Sequence, residues 1–240
     1  MSEQVVPIVP LIALGGGPGA GKSEMKEILT ERLRHYGVNV WFIEEVATSL
    51  ILNGIRPDVH GKYFQQMLAK IQIAHEDSQL SEARSALRRW SWKRIVAFVD
   101  RGLPDGAGYL AGDDVRAAFE HDILVGDSVL GLKMTMDDVF ARYVANIHLV
   151  TAADGAPKAY MRFRKNNPAR TETVKQAKYR DRRILAAWND HPNVRVVKNV
   201  NERGKTISFE QKTEVVLGHI FDILGIQPGE KVSEIDLSVG

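Results

Sequence analysis

Cysteine is absent from the 240 residues of the chain, which excludes disulfides, thiolate nucleophiles and cysteine-ligated zinc. Any metal must then be held by oxygen or by histidine. Long apolar runs are missing too. No stretch approaches the roughly 18 uninterrupted apolar residues of a membrane-spanning helix. The apolar opening Val5–Leu14 has no basic residue ahead of it and is expected to be a buried strand rather than a secretory signal. Charge of one sign is also scarce in bulk: 32 basic residues face 30 acidic ones, a net of +2. Nucleic acid or an acidic lipid surface is therefore expected only at local patches. There is no N-K-x-D for guanine recognition, no L-S-G-G-Q signature, and no internal repeat. His75, His121 and His148 stand without metal-ligand spacing.

What is present suffices for one sizeable core: 44% of residues are apolar and 26% charged. The expected organisation is one domain over residues 1–228, a polar tail at Gly229–Gly240, and a cytoplasmic location. Runs rich in β-branched and aromatic residues at Ile8–Leu14, Val38–Ile43, Ile95–Val99, Asn146–Val150 and Val194–Val197 read as strands of a covered parallel sheet. Between the first two, Met25, Ile28, Leu29, Leu33 and Tyr36 recur at helical spacing, and Gly37 is placed to end that helix. The alternation predicts an α/β fold with helices on both faces. Gly102–Arg142 is too long for a simple connection and is expected as a helical insertion over the sheet's edge, with pieces starting near Asp113 and Asp137. The paired acids Asp113-Asp114 and Asp137-Asp138 suit helix starts better than a metal site.

Chemistry concentrates after the first strand. Gly16-Gly17-Pro18-Gly19-Ala20-Gly21-Lys22-Ser23 fits G-x-x-x-x-G-K-[ST] between a buried strand and an amphipathic helix, the context a P-loop requires. The glycines let backbone N–H groups wrap a phosphate chain. Lys22 is expected to meet the β- and γ-phosphates, and the Ser23 hydroxyl to ligate Mg²⁺. In an open parallel sheet, ligands bind beyond the carboxyl ends of the strands. Asp100 ends the run Ile95–Val99 there and is the expected second metal ligand, followed at once by Arg101. Glu44 and Glu45 end another strand, and one of them can orient or deprotonate an acceptor hydroxyl.

A basic segment follows, with Lys158, Arg162, Arg164, Lys165, Arg170, Lys175, Lys178, Arg180, Arg182 and Arg183 against only Glu172 and Asp181. Residues of about 157–175 are expected to form a lid in which Arg162, Arg164 and Arg170 clamp a triphosphate. Lys175–Arg183 read as a solvated helix face.

Together with Glu45-Val46-Ala47, Asp100-Arg101-Gly102 and Asn166-x-x-x-Arg170-x-Glu172, the P-loop gives the chain a likeness. From about Leu11 to Leu224 it resembles the P-loop ATPase/kinase-like family that includes the nicotinamide riboside kinase domain of bacterial NAD regulators and the GTP-binding domain of an insect channel-trafficking protein. The resemblance implies strand order 2-3-1-4-5 and an ATP- or GTP-dependent activity with Mg²⁺. It also implies that Glu45 stands for the glutamate of a P-E-V-A stretch, with Glu44 where proline is common. Asp100, Arg101 and nearby Asp105 match a neighbourhood that touches metal and acceptor. Phe64-Gln65 and Gln72-x-x-x-Glu76 resemble a helix lining an acceptor pocket. The leading expectation is a kinase of a nucleoside, nucleotide or related small hydroxyl compound. The alternatives are a slow nucleotide-dependent switch for a partner or membrane, and a kinase of polynucleotide ends.

Overall fold

The computed structural model describes residues 8–89, 94–125, 132–165 and 172–227. Five strands form one parallel sheet: β1 Leu11–Gly15, β2 Val38–Ile43, β3 Arg94–Asp100, β4 Ala145–Leu149 and β5 Val194–Val197. Their order is β2-β3-β1-β4-β5, as the resemblance implies. β1 and β4 are buried along their whole length; β1 reads as a continuous apolar run for that reason, whereas β4 carries Asn146 and His148 among its buried residues. The first strand is shorter than the sequence predicts. Ile8 is 85% exposed, and Pro10 has no N–H to give a ladder, contributing only its carbonyl to the Ala97 N–H at 2.9 Å.

Side chains alternate across the sheet and build a core on each face. Ile12, Leu14, Phe98, Ile147 and Leu149 meet α1 (Lys22–Arg34) through Met25, Leu29 and Leu33, and α9 (Phe209–Leu224) through Val216, Leu217 and Ile220. Gly37, at φ +68°, turns the chain after α1, a conformation that costs glycine little. On the other face, Leu11, Ala13, Ala97 and Val99 share a core with α4 (Lys62–Arg89) and with Trp188 just past α8 (Val174–Ala186). Two short helices, α2 (Val46–Leu52) and α3 (Pro57–His60), join β2 to α4.

The insertion between β3 and β4 begins with a tight 3₁₀ turn at Leu103–Tyr109. It continues through α5 (Val115–Phe119), a wide π turn at Glu120–Val125 and α6 (Met136–Phe140). Leu103, Phe119, Ile123, Val139 and Phe140 belong to the same core as Ala13 and Ala97 of the central strands, because its apolar residues are buried only by covering that face. Asp114 caps α5 by accepting from the Arg116 and Ala117 N–H groups. Thr135 caps α6, with Asp138 closing a capping box. α7 (Pro157–Lys165) follows β4. Arg170, Asn166 and the tail Gly229–Gly240 lie outside the described residues.

Candidate nucleotide and acceptor site

Strand register assembles the site. Leu14 lies opposite Asp100, and Ile43 lies opposite Val99. The residues that follow β1, β3 and β2 therefore emerge side by side: the P-loop, Asp100-Arg101, and Glu44-Glu45.

Gly16 has φ +138°, and a Cβ there would come within 2.3 Å of the Leu149 carbonyl oxygen, so only glycine fits. The chain turns at Pro18–Gly19 just ahead of α1. The N–H groups that follow stand at the start of α1, where a phosphate oxygen is the natural partner. Lys22 is 3.3 Å from the Gly16 carbonyl oxygen and 3.7 Å from Asp100 Oδ1. Burial, and then the neighbouring Arg101 charge, pull its pKa below the ordinary lysine value. A polyanion relieves that strain on the charged form. Ser23 and Asp100 line the same two open grooves, of about 580 and 650 Å³. Asp100 Oδ1 is buried with no hydrogen-bond partner. An oxygen pair of this kind suits Mg²⁺, so the residues present fit both the nucleotide and its metal.

The loop is fastened from behind by residues the sequence reading did not assign. Asp181 accepts the Gly17 N–H at 2.7 Å and the Thr151 N–H at 3.2 Å. Ala152 N–H donates to the Gly19 carbonyl at 3.1 Å. Lys212 of α9, only 3% exposed, donates to the carbonyls of Ala20 and Val150 and to Asn199 Oδ1 at 3.1, 2.9 and 2.8 Å. Burial lowers its pKa to about 8. One of only two acids in a basic run was the available signal for Asp181; Lys212 carried none.

The two glutamates part company. Glu44 is exposed and pairs with Lys26. Glu45 turns to Arg101, whose Nε is 2.9 Å from its Oε1, while Arg101 Nη1 donates to the Gly16 carbonyl at 3.0 Å. Arg101 has φ +70°, a left-handed backbone that costs a non-glycine residue of order 1–3 kcal/mol and concentrates at functional sites. Burial opposes its charge, but Tyr109, Glu45, Asp105 and Asp100 outweigh that and raise its pKa.

Beside Glu45 and Arg101 opens a cavity of about 220 Å³. Val46, Ala47, Ile51, Phe64 and Leu68 give it apolar walls, and Gln65, Gln72, Asp105 and Tyr109 give it polar ones. Gln72 donates to the Arg101 carbonyl at 2.8 Å and to Glu76 Oε1 at 2.9 Å. Glu76 is fully buried behind the cavity, held by Arg142 Nε and the Tyr143 hydroxyl at 2.9 Å each. Burial raises its pKa against the pull of Arg142, Gln72 and Tyr143.

A family described as an AAA domain matches residues 11–203. The chain belongs to that family. No curated protein matches it. The AAA-domain match spans every strand and the P-loop, which makes this a nucleotide-binding P-loop fold of the NTPase type. It ends before α9, so Lys212 supports the loop from outside the matched span.

The basic segment is divided. Arg162 is exposed and Arg164 half-buried on α7. The residues after them are not a solvated face throughout. Arg180 stacks on the Tyr109 ring at 4.5 Å, and buried Arg183 donates to the Leu110 carbonyl at 2.8 Å. Both are drawn in because the 3₁₀ turn and the residues after it leave carbonyls without helical partners. Among the described residues no cluster of three or more acidic or histidine side chains could hold a metal, and no helix is long and apolar enough to cross a membrane.

Proposed function

We propose that this AAA-domain protein is an ATP- or GTP-dependent phosphotransferase acting on a small hydroxyl compound of nucleoside, nucleotide or related type. The observation that carries this reading is the cavity sharing Glu45 and Arg101 with the margin of the P-loop. A nucleotide switch has no need of a second pocket there. Its size, below the roughly 300–1,000 Å³ of drug-sized sites, favours a small molecule over a polynucleotide end.

The amides of Gly19–Ser23, within the loop Gly16, Gly17, Pro18, Gly19, Ala20, Gly21, Lys22 and Ser23, hold the phosphates, and Lys22 neutralises charge on the transferring group. The Ser23 hydroxyl and Asp100 would hold Mg²⁺, which supplies further neutralisation of the β- and γ-oxygens. Glu45, oriented by Arg101, accepts the proton of the acceptor hydroxyl. The hydroxyl oxygen then forms its bond to the γ-phosphorus, while the bond to the β–γ bridging oxygen breaks and its electron pair leaves with the diphosphate. Arg162, Arg164 and Arg170, on a lid of about 157–175, clamp the donor and exclude water.

A screen of hydroxyl compounds with labelled ATP and GTP tests the reading. Label should pass to an acceptor well above hydrolysis, only with Mg²⁺ or Mn²⁺, and transfer should stop in excess EDTA. Hydrolysis with no acceptor-dependent transfer would sink it.

A further inference from the structure

Lys212 sits in the first turn of α9, and three oxygens surround its Nζ: the Ala20 carbonyl at 3.1 Å, the Val150 carbonyl at 2.9 Å and Asn199 Oδ1 at 2.8 Å. All three are acceptors. The orientation of Asn199 is set by its other end, whose –NH₂ donates to the carbonyls of Val150, Thr151 and Asp154 at 3.0, 2.8 and 2.7 Å. An ammonium has three hydrogens and satisfies such a cage, whereas a neutral amine has only two. Loss of the proton leaves a buried oxygen without a donor, which costs more than the bond was worth.

One wall of the cage belongs to the P-loop. The Ala20 carbonyl and the Gly21 N–H are the two ends of one planar trans peptide and point opposite ways. The bond from Lys212 therefore sets the direction of the Gly21 N–H and polarises it. Phe209, the first residue of α9, closes on the same place: a Cβ on Gly21 would meet its ring at 2.7 Å. The charged groups whose fields reach Lys212 are Asp181 on α8, which favours its charge, and Lys22 on the loop, which opposes it. The Asp154 carboxylate after β4 is taken by Lys178, while Lys198 beside Asn199 and Glu210 and Glu214 on α9 are exposed. Burial already holds Lys212 at a pKa of about 8, so a polyanion arriving in the loop tips it to the charged form.

We propose that Lys212 is a positioning residue for the nucleotide phosphates, acting through the Ala20–Gly21 peptide, and that it takes up a proton from solvent as the nucleotide binds. This rests on phosphate binding by the P-loop and not on transfer to an acceptor.

Titration calorimetry of MgADP and MgGDP at pH 8, in two buffers of different ionisation enthalpy, counts the protons. Diphosphates avoid turnover, and their own phosphate titrates well below that pH, at about 6. The wild type should take up roughly 0.3–0.5 proton per nucleotide more than Lys212→Met. Its affinity at pH 7 should exceed that variant's by about 10-fold, with the gap narrowing toward pH 9.5. Lys22 titrates in both proteins, so the difference belongs to Lys212. A merely structural strut would lower affinity alike at every pH and leave the uptake unchanged, and that result overturns the proposal. If Lys212→Met does not fold, Lys212→Arg, whose charge does not titrate, should lose the same uptake. If neither folds, a wild-type affinity that is flat from pH 7 to 9.5 overturns the proposal, and a fall across pH 8 upholds it. A wild type that binds neither diphosphate sinks the P-loop reading together with this inference, whereas binding with equal uptake in wild type and variants sinks only the role of Lys212.

Discussion

The two halves of the site are built on opposite plans. The phosphate cradle is eight consecutive residues, Gly16–Ser23, tied down by Asp181, Ala152 and Lys212. The proposed acceptor cavity is gathered from α2, α4 and the 3₁₀ turn after β3, and its polar groups are tied across those segments, Gln72 to the Arg101 carbonyl and Arg101 to Glu45. A tight, pre-fastened half suits a ligand common to many enzymes. A half assembled from separate segments can change its occupant by single substitutions without disturbing the first.

That contrast can be broken by mutation. The largest effect is expected at Glu45. Glu45→Gln keeps the shape and removes the proton acceptor, so acceptor-dependent transfer should fall by roughly 10²–10⁴ while nucleotide affinity stays within a few-fold. Steady-state kinetics beside nucleotide titration would read this. Equal loss of nucleotide binding would place Glu45 in the donor half and erase the division. Next comes Lys22→Ala, expected to lower transfer and background hydrolysis together by about 10²–10³, because its charge serves the transferring group whatever the acceptor. Loss of transfer alone would contradict that.

The smallest effect sharpens the buttress. Lys212 has a folded pKa of about 8, below its value in the unfolded chain. Between the two, the unfolded state binds more protons, so stability rises with pH. The gain has not begun well below pH 8 and is complete once pH passes the unfolded lysine value near 10.4. Denaturant melts of the wild type against Lys212→Met should therefore show a gap that widens above pH 8 by at most about 1.4 kcal/mol per pH unit. Parallel pH profiles would mean that Lys212 titrates in the folded protein as it does in water.

The same contrast explains what the sequence made legible. The P-loop was readable because its function lies in contiguous residues with fixed spacing, and the strands because β1 and β3 are short apolar runs buried on both faces and the others are still rich in β-branched and aromatic residues. The choice between Glu44 and Glu45 was open to residue reading alone, since both follow β2; their surroundings differ in that Glu44 pairs with Lys26 and Glu45 with Arg101. The insertion's packing against α4 and α8 was not readable, because an amphipathic segment says that it covers a core and not which part. Lys212 and Asp181 act across 192 and 164 residues, a distance no local pattern spans.

Buried Glu76 has a consequence for the long helix α4. Its oxygens meet Arg142 and Tyr143 from across the core, while Gln72, one turn earlier, holds the Arg101 carbonyl. A slip of α4 by a single residue would swing Glu76 by about 100° into apolar surroundings and pull Gln72 off Arg101. The carboxylate thus works as an index pin: twenty-eight residues of helix can seat in one rotational setting, and that setting is the one in which Arg101 faces both halves of the site.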